Sequence, residues 1–301
     1  MNMMNVMNMK KTTPAFSLHA VPRAARAALQ WRMLLLWVLL MLIPTAILAA
    51  TMWQMLGAQL DYSVHAAAIA RQIDATVLAD LMAAHGKISA GFNQAGVMAL
   101  IATLLISPFL SGMAATAARA AGTPLFRELV GGGLTEYPRM FRMQVFSLIP
   151  LGLALALGGM VMDAAGAQAD AAVTASDARL AEVLAWIAAV LLFAVAHASV
   201  DAGRAALAIE RRRTSAVKAW WSGCKLLLRR PLAAMGVYLA ISGIGLALAA
   251  ALAVGRINVA GVNLASFIAA LLLVQLTVAV LGWMRSARLF ALIDLARSER
   301  A

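Results

Sequence analysis

Of 301 residues 63% are hydrophobic and 13% are charged, with a mean hydropathy of +0.85, which is too little charge to cover a water-soluble domain of this size. The net charge of +12 would point to nucleic acid in a soluble protein, but beside so much apolar sequence it reads as a basic surface against anionic phospholipid headgroups, and no nucleic-acid partner is expected. The single cysteine, Cys224, excludes an intrachain disulfide and a thiol metal cluster.

The chain opens on the low-complexity leader MNMMNVMNMKK, and residues 1–13 are expected to be disordered. An amphipathic stretch at 19–32 leads into the first long apolar run, 33–52. Ala49-Ala50-Thr51 has the small residues of a signal-peptide cleavage site, but the run is too long and begins too far from the N-terminus, so an uncleaved anchor fits better. In the long connection 53–94, Leu60, Val64, Ile69, Ile73, Val77 and Leu81 fall at helical spacing and predict a helix on or above the membrane, closed by Gly86. Asp61 and His65 share one of its faces, which reads as a solvated face rather than a metal site.

Five further apolar runs follow at 97–115, 145–161, 183–200, 232–254 and 264–283. Each is near the ~20 residues that a helix needs to cross the hydrocarbon layer, and none alternates as a barrel strand does. The predicted fold class is therefore all-α: a single polytopic domain over residues 14–301 with six transmembrane helices and short interfacial helices. Gly131-Gly132-Gly133 lies between the second and third runs with no Lys-Ser/Thr after it, so it predicts a flexible break rather than a phosphate loop. Thr214 or Ser215 is placed to cap an amphipathic helix over 215–230, which carries Val217, Trp220, Trp221, Cys224 and Leu228 on one face, and Pro231 opens the fifth span.

Lys and Arg set the orientation. They crowd before the first span, in the second and fourth connections and after the sixth span, whereas the opposite side holds only Arg71, Lys87, Arg179 and Arg256. The positive-inside rule then puts both termini in the cytoplasm. The residues expected to contact lipid headgroups are Arg119, Arg139 and Arg142, then Arg204, Arg211, Arg212, Arg213, Lys218, Lys225, Arg229 and Arg230, and finally Arg288. Arg119, Arg204 and Arg288 each sit just past a span, where the side chain can snorkel to phosphate. Trp31, Trp53, Trp186 and Trp283 fall near span ends, as expected of an aromatic belt, with Trp37 deeper. An amphipathic stretch precedes each odd span (19–32, 125–142 and 215–230), so the chain reads as three copies of interfacial helix, span, outer loop, span, whether by true repetition or shared constraint.

Polar groups within spans are the default functional candidates, and no Asp, Glu, Lys or Arg lies near a span centre. That argues against a proton-coupled carrier, a charged-substrate pump or a voltage sensor. His197 and Asp201, at i, i+4, form the one polar site suggested: a metal or proton-relay pair, or more simply a polar helix end. Pro44 and Pro108 are expected to kink the first and second spans. Gly152, Gly158 and Gly159, with Gly236, Gly243 and Gly245, are expected to permit close helix packing, and Gln275 and Thr277 to join helices. No Ser-His-Asp set, HExxH or CxxC is present, so no catalytic residue, cofactor or metal is expected.

The stretch Val200-Asp201-Ala202-Gly203-Arg204-Ala205-Ala206-Leu207-Ala208-Ile209-Glu210, followed by Lys225-Leu226-Leu227-Leu228-Arg229-Arg230-Pro231 entering a span, resembles a group of bacterial six-span membrane proteins. That group is similar to the non-catalytic membrane portion of some glycerophosphodiester phosphodiesterases. The resemblance implies a multi-pass protein of the bacterial cytoplasmic membrane. The phosphodiesterase barrel and its acidic metal cluster are absent from this sequence, so that activity is not carried over. The expected role is a non-enzymatic scaffold or accessory module that packs with lipid or a membrane-protein partner; the alternative is a permease component for a lipid-like substrate.

Overall fold

The computed structural model describes residues 20–60, 86–171, 174–259 and 263–299. Among them eight helices follow in order: α1 Ala20–Ala27, α2 Trp31–Leu60, α3 Gly86–Arg119, α4 Phe126–Asp170, α5 Ala175–Ile209, α6 Ala216–Arg229, α7 Pro231–Asn258 and α8 Leu264–Ser298. There is no strand among the described residues. Six of the helices, all but α1 and α6, are long and apolar enough to cross a bilayer, and the chain is a multi-pass membrane protein. The leader, the helix expected over 60–84 and the Asp61–His65 pair lie outside the described residues, apart from Leu60, which ends α2.

The helices start and stop for local reasons. Ser215 caps α6 by accepting a hydrogen bond from the Lys218 amide, Thr174 caps α5 through the Asp177 amide and Asn263 caps α8 through the Ser266 amide. Arg230 leaves helical geometry at φ −133° and ψ 61°, as a residue before proline tends to, and Pro231 starts α7. The stretch 125–142 behaves differently. Arg142 is followed by Met143, which has an N–H to donate, so interfacial segment and span fuse into the single 45-residue α4. The expected break at Gly131–Gly133 is absent: these residues are helical, and a Cβ on Gly132 or Gly133 would strike Thr116 or Phe109 of α3. Their lack of a side chain serves close packing. The three units thus share an order of elements, but only the first and third keep a separate short helix.

Every spanning helix extends past its apolar run except at the start of α8. α5 continues from Val200 to Ile209, and α8 from Trp283 to Ser298. The core lies in these extensions. Residues 198–208 of α5 are buried on every side, as is almost all of 282–293 of α8, whereas the most apolar window of α8 has no buried residue. Apolar side chains gain nothing by leaving lipid for protein, so helices in a membrane converge where small residues let backbones approach. Here α5 is packed by α4, α6 and α8, and α8 also by α1, α2 and α7. Trp37 of α2 lies over Gly282, and Trp283 donates to the Ala25 carbonyl of α1 at 2.8 Å. Trp283 is therefore a buried strut, unlike Trp31, Trp53 and Trp186, which are exposed. Gly158 and Gly245 do meet neighbours, Ala189 and Met284, but Gly152, Gly159 and Gly243 face open space, and Thr277 bonds its own helix at Leu273.

The tightest approach of a glycine to another helix's backbone, among the described residues, joins α5 to α6. A Cβ on Gly223 would lie 2.5 Å from the Gly203 nitrogen and 2.8 Å from the Ser199 oxygen, both backbone atoms. Gly223→Ala is expected to destabilise the protein by about 1–3 kcal/mol. Gly152→Ala, in open space, is expected to leave it unchanged or gain up to about 1 kcal/mol of helix propensity. Thermal unfolding in detergent checks both, and equal midpoints would remove the close-contact account.

Candidate functional site

Four of the arginines expected at headgroups are engaged inside the protein instead. The C-terminal end of α5 presents carbonyls that no helical N–H can reach. Arg139 donates to the Leu207 oxygen at 2.8 Å and the Glu210 oxygen at 2.6 Å, and Arg119 donates to the Ala208 oxygen at 3.1 Å. Glu136, 2% exposed, lies between the two guanidinium groups and pairs with both. Cations at a helix C-terminus are favoured by its dipole, and the shared carboxylate keeps this pair from being a like-charge repulsion. Arg119 and Arg139 therefore cap α5, at the level where they were expected to meet phosphate.

One to two turns further into the bundle, Asp201 organises a second cluster. Arg204 donates to Asp201 Oδ1 at 2.8 Å and to Gln144 Oε1 of α4 at 2.8 Å. Arg288 of α8 lies 3.3 Å from Asp201 Oδ2, donates to Ser242 of α7 at 3.0 Å and sits 5.0 Å over the Tyr238 ring. His197 Nδ1 lies 3.5 Å from Asp201 Oδ2 and 3.1 Å from the Tyr238 hydroxyl. Asp201, Arg204 and Arg288 are each 6% exposed or less, so Arg204 and Arg288 are also corrected from headgroup contact to interior ion pairing. The sequence pairing of His197 with Asp201 is reproduced as a contact, within a network drawn from four helices. Glu136, Gln144, Tyr238 and Arg285 were not singled out by sequence.

Arg285 completes the arrangement. It donates to Ser107 Oγ of α3 at 2.8 Å and pairs with no carboxylate among the described residues. With Arg204, Arg288, His197 and Gln144 it forms the polar floor of a cavity of about 770 Å³ between α2, α3, α4, α5 and α8. The walls rise away from this floor as Met41, Pro44 and Leu48 on α2, Leu100 and Leu104 on α3, Leu151 on α4, and Val278 and Leu281 on α8. From Trp37 to Leu48 the α2 wall climbs roughly 16 Å at 1.5 Å per residue. α2 and α3 run through Pro44 and Pro108 as continuous helices. Proline removes one backbone donor, and the Tyr137 hydroxyl donates to the Leu105 carbonyl at 3.0 Å in the turn before Pro108.

The other basic residues lie toward the surface. Arg211, Arg212, Lys218 and Lys225 are exposed. Arg142 bonds the Pro138 and Thr214 carbonyls, Arg213 pairs with Glu210, Arg229 with Glu299, and Arg230 bonds Ser298. Burial pushes the Cys224 thiol of α6 up, which disfavours the reactive thiolate. No group of three or more His, Cys, Asp and Glu side chains converges as a metal site among the described residues. No family model, curated protein or solved structure matches the chain.

The capping cluster makes a quantitative prediction. Glu136→Gln removes a buried carboxylate and leaves two half-buried guanidinium groups facing each other, and is expected to lose about 2–4 kcal/mol, read as thermal unfolding in detergent. Arg229→Gln removes a pair in which Arg229 is 67% exposed and is expected to change stability by less than about 1 kcal/mol. Comparable losses in the two variants would contradict the capping role.

Proposed function

We propose that this protein is a non-enzymatic integral membrane module that packs with lipid by holding an amphiphile between its spans. One observation carries the reading: a cavity whose floor is polar and cationic and whose walls are mostly apolar, with the hydroxyls of Thr45 and Thr103 among them. A water-soluble solute would gain nothing from those leucines, and a hydrocarbon would gain nothing from the arginines. An amphiphile satisfies both, and the volume lies within the range of small-molecule sites. Among the described lining residues no hydroxyl or thiol is hydrogen-bonded to His197, the one imidazole there, which favours binding over chemistry. The excess of Lys and Arg at one end, above all the exposed Arg211, Arg212, Lys218 and Lys225, supports an orientation with both termini in the cytoplasm of a bacterial cell and that basic face on anionic headgroups.

A second reading, a permease component for a lipid-like substrate, draws on the same cavity being walled by two proline-bearing helices. The two readings part in one set of experiments. Purified protein in nanodiscs, examined by native mass spectrometry, is expected to retain bound amphiphile through detergent washing and to catalyse no flux of it across proteoliposomes. Flux abolished by Pro108→Ala moves the assignment to transport. Protein that retains no amphiphile and moves none defeats both. Single cysteines at 211–213 in a Cys224→Ser background are expected to label only from the inner face, and labelling from outside would reverse the orientation.

A further inference from the structure

The charge on the cavity floor does not balance. Arg204, Arg285 and Arg288 bring three guanidinium groups, and Asp201 is the one carboxylate that pairs with any of them among the described residues. Arg204 donates to Asp201 and Gln144, and Arg288 donates to Ser242 while its Nε faces Asp201 Oδ2 as an ion pair without a hydrogen bond. Arg285 has one hydroxyl partner, Ser107, and a guanidinium fork offers five donors. A cation held away from water without a counter-charge is strongly disfavoured, and a guanidinium that lines a cavity is matched best by an oxyanion able to take two of its N–H groups at once.

From this we propose that the cavity is a seat for the ionised phosphate head of a membrane lipid, with Arg285 as the specificity-determining residue and Arg204 beside it. The claim rests on the amphiphile reading above and names the class of amphiphile. Phosphate fits better than a zwitterionic head because, among the described residues, the cavity lining includes no Asp or Glu that could hold a choline or ammonium. A lipid fits better than free phosphate because the floor continues directly into a wall of leucines. Leu100, Leu104 and Leu281 line the cavity and remain exposed, so its upper part is open at the level where acyl chains lie. The head would sit low, near the arginine-rich end, and the chain would run up between α2 and α3.

The test is competitive retention by full-length protein in nanodiscs that contain a phosphomonoester lipid and a phosphatidylcholine with identical chains, read by native mass spectrometry. Wild type is expected to favour the phosphomonoester lipid by about tenfold or more, the equivalent of one charge-assisted hydrogen bond. Arg285→Gln is expected to lose that preference, Arg285→Lys to keep part of it, and Arg297→Gln, an exposed arginine on the same helix, to keep all of it. Leu104→Trp, which fills the wall without touching the floor, is expected to lower retention of both lipids and so tests the cavity even if Arg285→Gln folds poorly. Inorganic phosphate and glycerol phosphate are expected not to displace the lipid at concentrations equal to it. Equal retention of the two lipids by wild type would overturn the phosphate seat while leaving the amphiphile reading intact; retention of neither would overturn both. An unchanged preference in Arg285→Gln would remove that residue's role, and displacement by inorganic phosphate alone would remove the lipid.

Discussion

Asp201 is a carboxylate 3% exposed in the C-terminal third of α5, just past its apolar run, and the packing of the bundle follows from how that group is compensated. Arg204 comes from the next turn of the same helix, Arg288 from α8, and both are anchored again by Gln144 of α4 and Ser242 of α7. A charge at this depth with no partner would drag the helix end toward water. With partners from neighbouring helices the same charges stay inside and hold those helices together. The spans accordingly converge at one end, where the core lies, and leave their most apolar stretches to lipid.

The same anchoring shapes the cavity. Arg204 and Arg288 are fixed by their partners, so their remaining surfaces form an ordered floor rather than a mobile one, and Arg285 is set beside them by the i, i+3 spacing with Arg288 and by Ser107. Above them the cavity is lined by Leu48 of α2 and by Leu100 and Leu104 of α3. The second cluster, Glu136 with Arg119 and Arg139, performs a different task with the same chemistry: it closes the C-terminal end of α5. One residue type, arginine flanking an apolar run, thus serves as cap, as core and as candidate ligand contact.

The sequence made the spans legible because continuous apolar runs of about the right length have few other uses, and each of the six falls inside an observed helix. What it obscured was where the arginines go. An Arg just beyond an apolar run looks the same whether it snorkels to phosphate or turns inward, and the outcome depends on a partner that is distant in sequence, as Ser242 is from Arg288 and Gln144 is from Arg204. The local clue was the carboxylates. With only 13 Asp and Glu in the chain, Glu136 three residues before Arg139 and Asp201 three before Arg204 marked interior pairs at i, i+3. The glycine triplet at 131–133 was misjudged for a related reason: glycine loosens an isolated helix, but against Thr116 and Phe109 it is what allows the contact. The His197–Asp201 pair was visible by spacing, whereas Tyr238 and Arg285, which complete its surroundings, required the fold.

The central claim is that Asp201 and Arg204 are energetically one unit within a core of paired charges. A double-mutant cycle on thermal unfolding in detergent, with Asp201→Asn, Arg204→Gln and the two combined, addresses it directly. Each single change is expected to lose about 3–5 kcal/mol, and the combination is expected to fall short of the sum by about 1 kcal/mol or more. Losses that add independently, or an Asp201→Asn protein as stable as wild type, would contradict the account.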